Sequence, residues 1–122
     1  MDSILTSIKK LLGITEEYEY FDADLIMHIN SVLAVLSQLG VGPSEGFAIQ
    51  DEDAVWTSFL PDDARLQFVK SYVALKVKLL FDPPLSSAVI EAINRQISEL
   101  EWRILVEAEH DKNTEQEEHP DE

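Results

Sequence analysis

Two carboxylate-rich runs, "DAD" at 22–24 and "DEDA" at 51–54, are the first places to look for chemistry. Paired carboxylates either hold a divalent cation or run acid–base catalysis after apolar burial has separated their pKa values. A calcium loop of the EF-hand type needs ligands at alternating positions, a central glycine and a closing glutamate. Neither run has that pattern, and helix capping and a solvated loop account for them. With 24 acids in 122 residues, close pairs arise by chance. His28 sits between apolar neighbours with no histidine at helical spacing, so it reads as a boundary residue. His110 and His119 fall in an acidic tail that defines no site. "GVGPSEG" (40–46) has the look of a phosphate loop but lacks the lysine and follows a helix rather than a strand. The chain has no cysteine, which removes thiol catalysis, disulfides and cysteine-ligated zinc and suits a reducing compartment. The expectation is a non-enzymatic protein with no catalytic residue, metal or cofactor.

What is left is surface chemistry. Lys70, Lys76 and Lys78 concentrate on one helical stretch of an otherwise acidic chain. They serve either to pair with nearby carboxylates or as a cationic strip for an acidic neighbour. Trp56 and Trp102 read first as core or core-edge residues and second as recognition residues. Phe47 and Ile49, in the extended piece "FAIQ", complete the candidates for a subunit or partner interface: Phe47, Ile49, Trp56, Lys70, Lys76, Lys78 and Trp102.

Charge narrows the partners. The chain has a formal net charge of −15, and no Lys or Arg lies between Lys10 and Arg65. Residues 110–122 hold six acids and one lysine, which leaves −10 on residues 1–109. Such a surface repels phosphate, so nucleic-acid binding through counterion release and adhesion to anionic membranes are both disfavoured. No apolar run nears the roughly 20 residues that span a bilayer, and the alternating "MDSILTSIKKLLG" is not a signal peptide.

The elements that position these residues read as helices. Ile4, Leu5, Ile8, Leu11 and Leu12 share one face of a helix over 2–12, ended by Gly13. Leu25, Ile29, Val32, Leu36 and Leu39 predict a helix over 23–39, capped by Asp22 or Asp24 and closed by Gly40. A long glycine-bearing loop (40–56) follows, and then one helical turn at 54–60 that tucks in Trp56, Phe59 and Leu60. Pro61, Asp62 and Asp63 open the most apolar helix, with Leu66, Val69, Val73, Val77 and Leu80 as its stripe. Asp82, Pro83 and Pro84 then make a structural corner. The residue before a proline avoids helical geometry, and neither proline donates an N–H. Ser86 or Ser87 caps a last helix over 86–109, whose seam is Ile90, Ile93, Ile97, Leu100 and Ile104. The expected fold is all-α. It is a small antiparallel helical bundle with a short extended segment or hairpin in the loop between the second and third helices. A helical domain over 1–109 is followed by a disordered acidic C-terminal tail over 110–122.

"QLGVGP", "YVALKVKLLFDPP" and "ISELEWRI" occur in that order within 24–49 and 69–104. Together they resemble the small head–tail connector (adaptor) proteins of long-tailed bacteriophages, over most of residues 2–105. The resemblance implies a non-enzymatic virion protein that forms a ring of twelve copies under the portal protein. It further implies that the ring receives the next head-completion or tail protein and lets DNA pass through without sequence-specific binding. No membrane is implied, and the protein waits in the host cytoplasm before assembly. The glycine-rich segment 40–53 is then a docking or lumen loop, mobile before assembly. The alternative reading is an acidic DNA-mimic inhibitor of a basic nucleic-acid-binding protein, although here the carboxylates cluster at caps, loops and tail rather than in phosphate-like rows.

Overall fold

The computed structural model describes the backbone of residues 3–61 and 64–117, and side chains among these up to 106. Among the described residues five helices follow in order: α1 (Ile4–Leu11), α2 (Asp22–Gln38), α3 (Trp56–Phe59), α4 (Leu66–Phe81) and α5 (Ser87–Glu117). α4 packs against both α2 and α5, and α1 lies against α2 and α4. The all-α bundle anticipated from periodicity is therefore the observed architecture.

Most boundaries follow local chemistry. Ser3 starts α1, its hydroxyl accepting the Thr6 N–H at 3.2 Å. Gly13 and Gly40 end α1 and α2 in the left-handed region, at φ +80° and +86°. After α2, the Val41 N–H returns to the Leu36 carbonyl at 2.9 Å and the Gly40 N–H to Ser37 at 3.0 Å. This pairing satisfies carbonyls that the helix end would otherwise leave open, and it brings Val41 back over Leu36, both fully buried. Ser86 caps α5 with a weak 3.4 Å contact to the Val89 N–H and a carbonyl bond from the Ile90 N–H at 3.1 Å.

Several positions depart from the sequence expectation. Neither Asp22 nor Asp24 caps α2. Phe21 holds the cap position without a side-chain bond, and both acids lie in the first turn, where they complement the helix dipole. α4 begins at Leu66, after a turn at 64–65, and the anticipated openers Asp62 and Asp63 lie outside the described residues. "FAIQ" joins no strand or hairpin among the described residues; an isolated bridge forms outside it, between Ser3 and Val55. α5 runs to Glu117, past the anticipated end at 109, because Glu, Lys and Gln are good helix formers even without an apolar face.

The core is one cluster. Ile4, Leu5 and Ile8 of α1 meet Leu25, Ile29, Leu33 and Leu36 of α2, Val69, Tyr72, Val73 and Val77 of α4, and Ile97 and Ile104 of α5. Each fully buried aliphatic side chain contributes about 1.5–3 kcal/mol. Leu11 and Leu80, expected on the apolar stripes, are instead more than half exposed. They sit in the last turns of α1 and α4, where each borders a groove between helices.

Candidate interaction surfaces

The Asp82-Pro83-Pro84 corner joins α4 to α5 through five residues, 82–86. Asp82 leaves the helix at φ −147°, ψ 69°, with its N–H still bonded to the Lys78 carbonyl at 2.9 Å. Lys78 Nζ meets the Asp82 carboxylate at 3.1 Å, an exposed pair worth a few tenths of a kcal/mol. Further along, the Tyr72 hydroxyl donates to Glu101 Oε2 at 3.0 Å and so ties α4 to α5. Burial, and then the neighbouring Glu101 carboxylate, push the Tyr72 phenol well above its ordinary value. Tyr72 is thus a neutral donor between the two helices.

The loop 40–55 is fastened rather than loose. Gly42, at φ +92°, lies so near Phe59 that an added Cβ would fall 2.5 Å from Cε1. Phe47 packs edge-on against the same ring at 5.5 Å. Asn30 of α2 binds both backbone groups of Ile49, donating to its carbonyl at 3.0 Å and accepting its N–H at 2.7 Å. A side chain here does what a neighbouring strand does in a sheet. At the far end the Ile4 N–H reaches the Ala54 carbonyl at 3.0 Å, and the Trp56 indole donates to Ser7 Oγ at 2.8 Å. The anticipated mobile loop therefore has three anchors, and its exposed positions are Gly40, Ala48 and the turns at 44–45 and 50–53.

These facts sort the anticipated interface residues. Ile49 and Trp56 are buried in the core and Phe47 is half-buried, so their surface is already used within the subunit. The three lysines are half-buried rather than projecting. Lys76 lies over the Tyr72 ring, 5.6 Å from its centre, and Lys78 faces Asp82. Trp102 keeps 61% of its surface and shares the outer side of α5 with exposed Val106, one turn on. His28 lies 6.5 Å from the Phe81 ring, and the described residues hold no group of His, Cys, Asp or Glu placed to bind a metal.

Two features escaped sequence reasoning. Lys9 is a buried lysine, its Nζ donating to the Glu16 carbonyl at 2.9 Å and lying 2.8 Å from Asp22 Oδ1. The carboxylate contact is an ion pair at close range but is not aligned as a hydrogen bond. The other feature is an aromatic surface around Tyr18, Tyr20 and Phe21. The signal for it was present in "YEYFD", which reads at first only as an acidic connector. Grooves of about 460 and 250 Å³ flank α4, one towards Leu11 and Leu100 and the other towards Val35 and Ile97. Both are gaps between helices: Ser71, Gln96 and the paired Glu99 and Arg103 line the first beside its apolar residues, and Ser31, Lys76 and Asn94 line the second. No described helix is long and apolar enough to cross a membrane.

No curated protein and no solved structure matches the chain. A family model described as phage connector protein matches residues 4–111, from the first residue of α1 through most of α5. The match covers the corner, the fastened loop and the helix pair on either side of the prolines, and the chain belongs to the phage connector protein family.

Proposed function

We propose that this protein is a non-enzymatic head-completion connector. It forms a ring under the portal protein, receives the next head-completion or tail protein, and leaves a passage for DNA. The family match over 4–111 carries this reading. The phage connector family is structural, and membership supports a role in the virion, which we assign to the head–tail junction. Before assembly it resides in the host cytoplasm. Residues 1–109 form the connector domain, with 110–122 as an acidic appendage.

Geometry supports the same role. A ring is built by one face of a subunit meeting a different face of the next, so each subunit must hold its faces at a constant angle. The five-residue proline corner, the Tyr72–Glu101 tie and the anchored loop all restrict that angle. Twelve copies follow from the expected match to a dodecameric portal. Net charge −15 suits a DNA passage that must not hold its cargo, because a like-charged wall repels phosphate.

The test is direct. The mass of the free protein is measured, and the protein is then mixed with portal-bearing, DNA-filled capsids from the cognate phage and the bound copies are counted. Stable capture at twelve copies per portal vertex is the expected result, and failure to bind filled heads overturns the reading. Bases facing the bore, with acids on the outer wall, would overturn the passage argument alone.

A further inference from the structure

The geometry points to a docking site for a basic protein segment at the aromatic, acid-rimmed end of the bundle. This inference rests on the connector reading and names the chemistry of one partner contact.

The rings of Tyr18, Tyr20 and Phe21 pack on one another at 6.3, 5.8 and 5.0 Å. Phe21 continues the array to Phe81 at 5.1 Å, beside the proline corner, and His28 flanks Phe81. Phe21 and Phe81 lean on the core, so they are explained by folding. Tyr18 and Tyr20 are not. They lie outside the core cluster and are 49% and 78% exposed, held by each other and by Phe21. Met27 and Leu80, chain neighbours of His28 and Phe81, are also more than half exposed. Rigid, half-open tyrosines are the residue type that dominates protein interfaces, because they bury much area for little lost entropy.

Charge selects the occupant. "TEEYEYFDAD" (15–24) carries five acids and no base. Lys9 is committed to Asp22, and the exposed Glu16, Glu17, Glu19 and Asp24 have no counter-ion among the described residues. Electron-rich rings beside carboxylates suit guanidinium or ammonium groups, which gain cation–π attraction and charge-assisted hydrogen bonds together. A second copy fits poorly. It is equally acidic, and its Lys76, Lys78 and Arg103 already face Tyr72, Asp82 and Glu99, which leaves the exposed Lys10 and Arg95 as single, separated cations rather than a basic segment. DNA is repelled. The occupant is therefore an arginine- or lysine-bearing segment of a different virion protein, and contacts between ring neighbours use other faces.

Two measurements on the full-length protein test this. In the first, an arginine–glycine peptide is titrated into isotopically labelled protein. Resonances of Tyr18, Tyr20 and Met27 are expected to shift first, and at least ten-fold weaker binding is expected from Tyr18→Ala/Tyr20→Ala. Shifts spread evenly over all acidic positions, unchanged by that variant, overturn the site. In the second, capture on portal-bearing capsids is compared for wild type, the tyrosine pair and Glu16→Gln/Glu17→Gln/Glu19→Gln, each with its helicity checked. A ten-fold loss with the tyrosine pair, and a flatter salt dependence with the glutamine triple, supports the proposal. Wild-type capture with both variants unimpaired sinks it and leaves the connector reading standing. No wild-type capture sinks the connector reading, while the peptide titration still judges the site. Concentration-dependent self-association that the tyrosine pair abolishes would assign the platform to a second copy and overturn the proposal.

Discussion

Asn30 holds Ile49 by both of its backbone polar groups, at 3.0 and 2.7 Å. One side chain on α2 therefore sets the path of a loop nineteen residues downstream. Asn30→Leu leaves an N–H and a carbonyl unmet in a partly buried place, at about 1–3 kcal/mol each. We expect a melting temperature lower by roughly 6 °C or more for a domain of this size. Asn30→Asp keeps the acceptor, loses the donor and should also destabilise. A shift within 1 °C for the leucine variant would show that the loop does not depend on this clasp.

Gly42 and Gly40 separate two penalties. Both have positive φ, but only Gly42 faces a neighbour, the Phe59 ring. Gly40→Ala should cost about 1 kcal/mol for the left-handed backbone. Gly42→Ala adds a steric clash and should cost roughly 3 kcal/mol. Urea denaturation ranks the two, and combining Gly42→Ala with Phe59→Leu should cost less than the sum of the single changes. Equal effects at the two glycines would refute the close approach.

Tyr72 gives a pH signature. Its folded pKa is raised above the ordinary 10.0, so below pH 10 the phenol is neutral in both states and its contribution is complete. Above pH 10 the unfolded phenol ionises first, and stability falls as pH rises towards the folded value. The wild type should therefore lose more stability between pH 9 and 11 than Tyr72→Phe, as read by urea midpoints. The difference between the two proteins isolates this one hydroxyl. Parallel curves would mean that Tyr72 is not shielded.

Lys9 and Asp22 should respond unequally. Lys9→Met removes the buried charge, and the Asp22 carboxylate still reaches water, its side chain being 23% exposed. Asp22→Ala strands an ammonium on a single carbonyl, at about 3 kcal/mol. The aspartate variant should therefore melt lower than the methionine variant, and Lys9→Met/Asp22→Asn should lie near Lys9→Met. Reversal of that order would place the charge in water rather than in the core.

Replacing Pro83 and Pro84 with alanines should preserve helicity by circular dichroism while lowering capture on filled heads. The prolines withhold two N–H donors and fix two φ angles, so their loss lets α4 and α5 drift or fuse. Normal completion of infectious heads by this variant would remove the corner from the functional account.

Helix number and order were legible because apolar spacing, Gly13, Gly40 and the two prolines each act locally. The Ser3 cap and the first-turn role of Asp22 depend on where the chain enters each helix, which periodicity does not fix to a residue. Lys9 escaped notice because lysines normally lie in water; its burial depends on a carboxylate thirteen positions away. Asn30 reads as an ordinary polar residue on α2 until the loop arrives beside it. Trp56 read first as a core residue and is one, whereas Ile49 looked available for partners because loops usually run over the surface. Here Asn30 and Ser7 supply the hydrogen bonds that let that stretch turn inward.

α5 has 31 residues against 16 in α4, about 46 Å of rod against about 24 Å. It behaves as a lever whose fulcrum is the bend at Pro83 and Pro84. Ten degrees of play there would swing the far end by about 8 Å, more than a full helical turn of 5.4 Å. Mating parts that must register around a closed circle tolerate little such error, so stiffness at five residues governs tolerance at the opposite extremity.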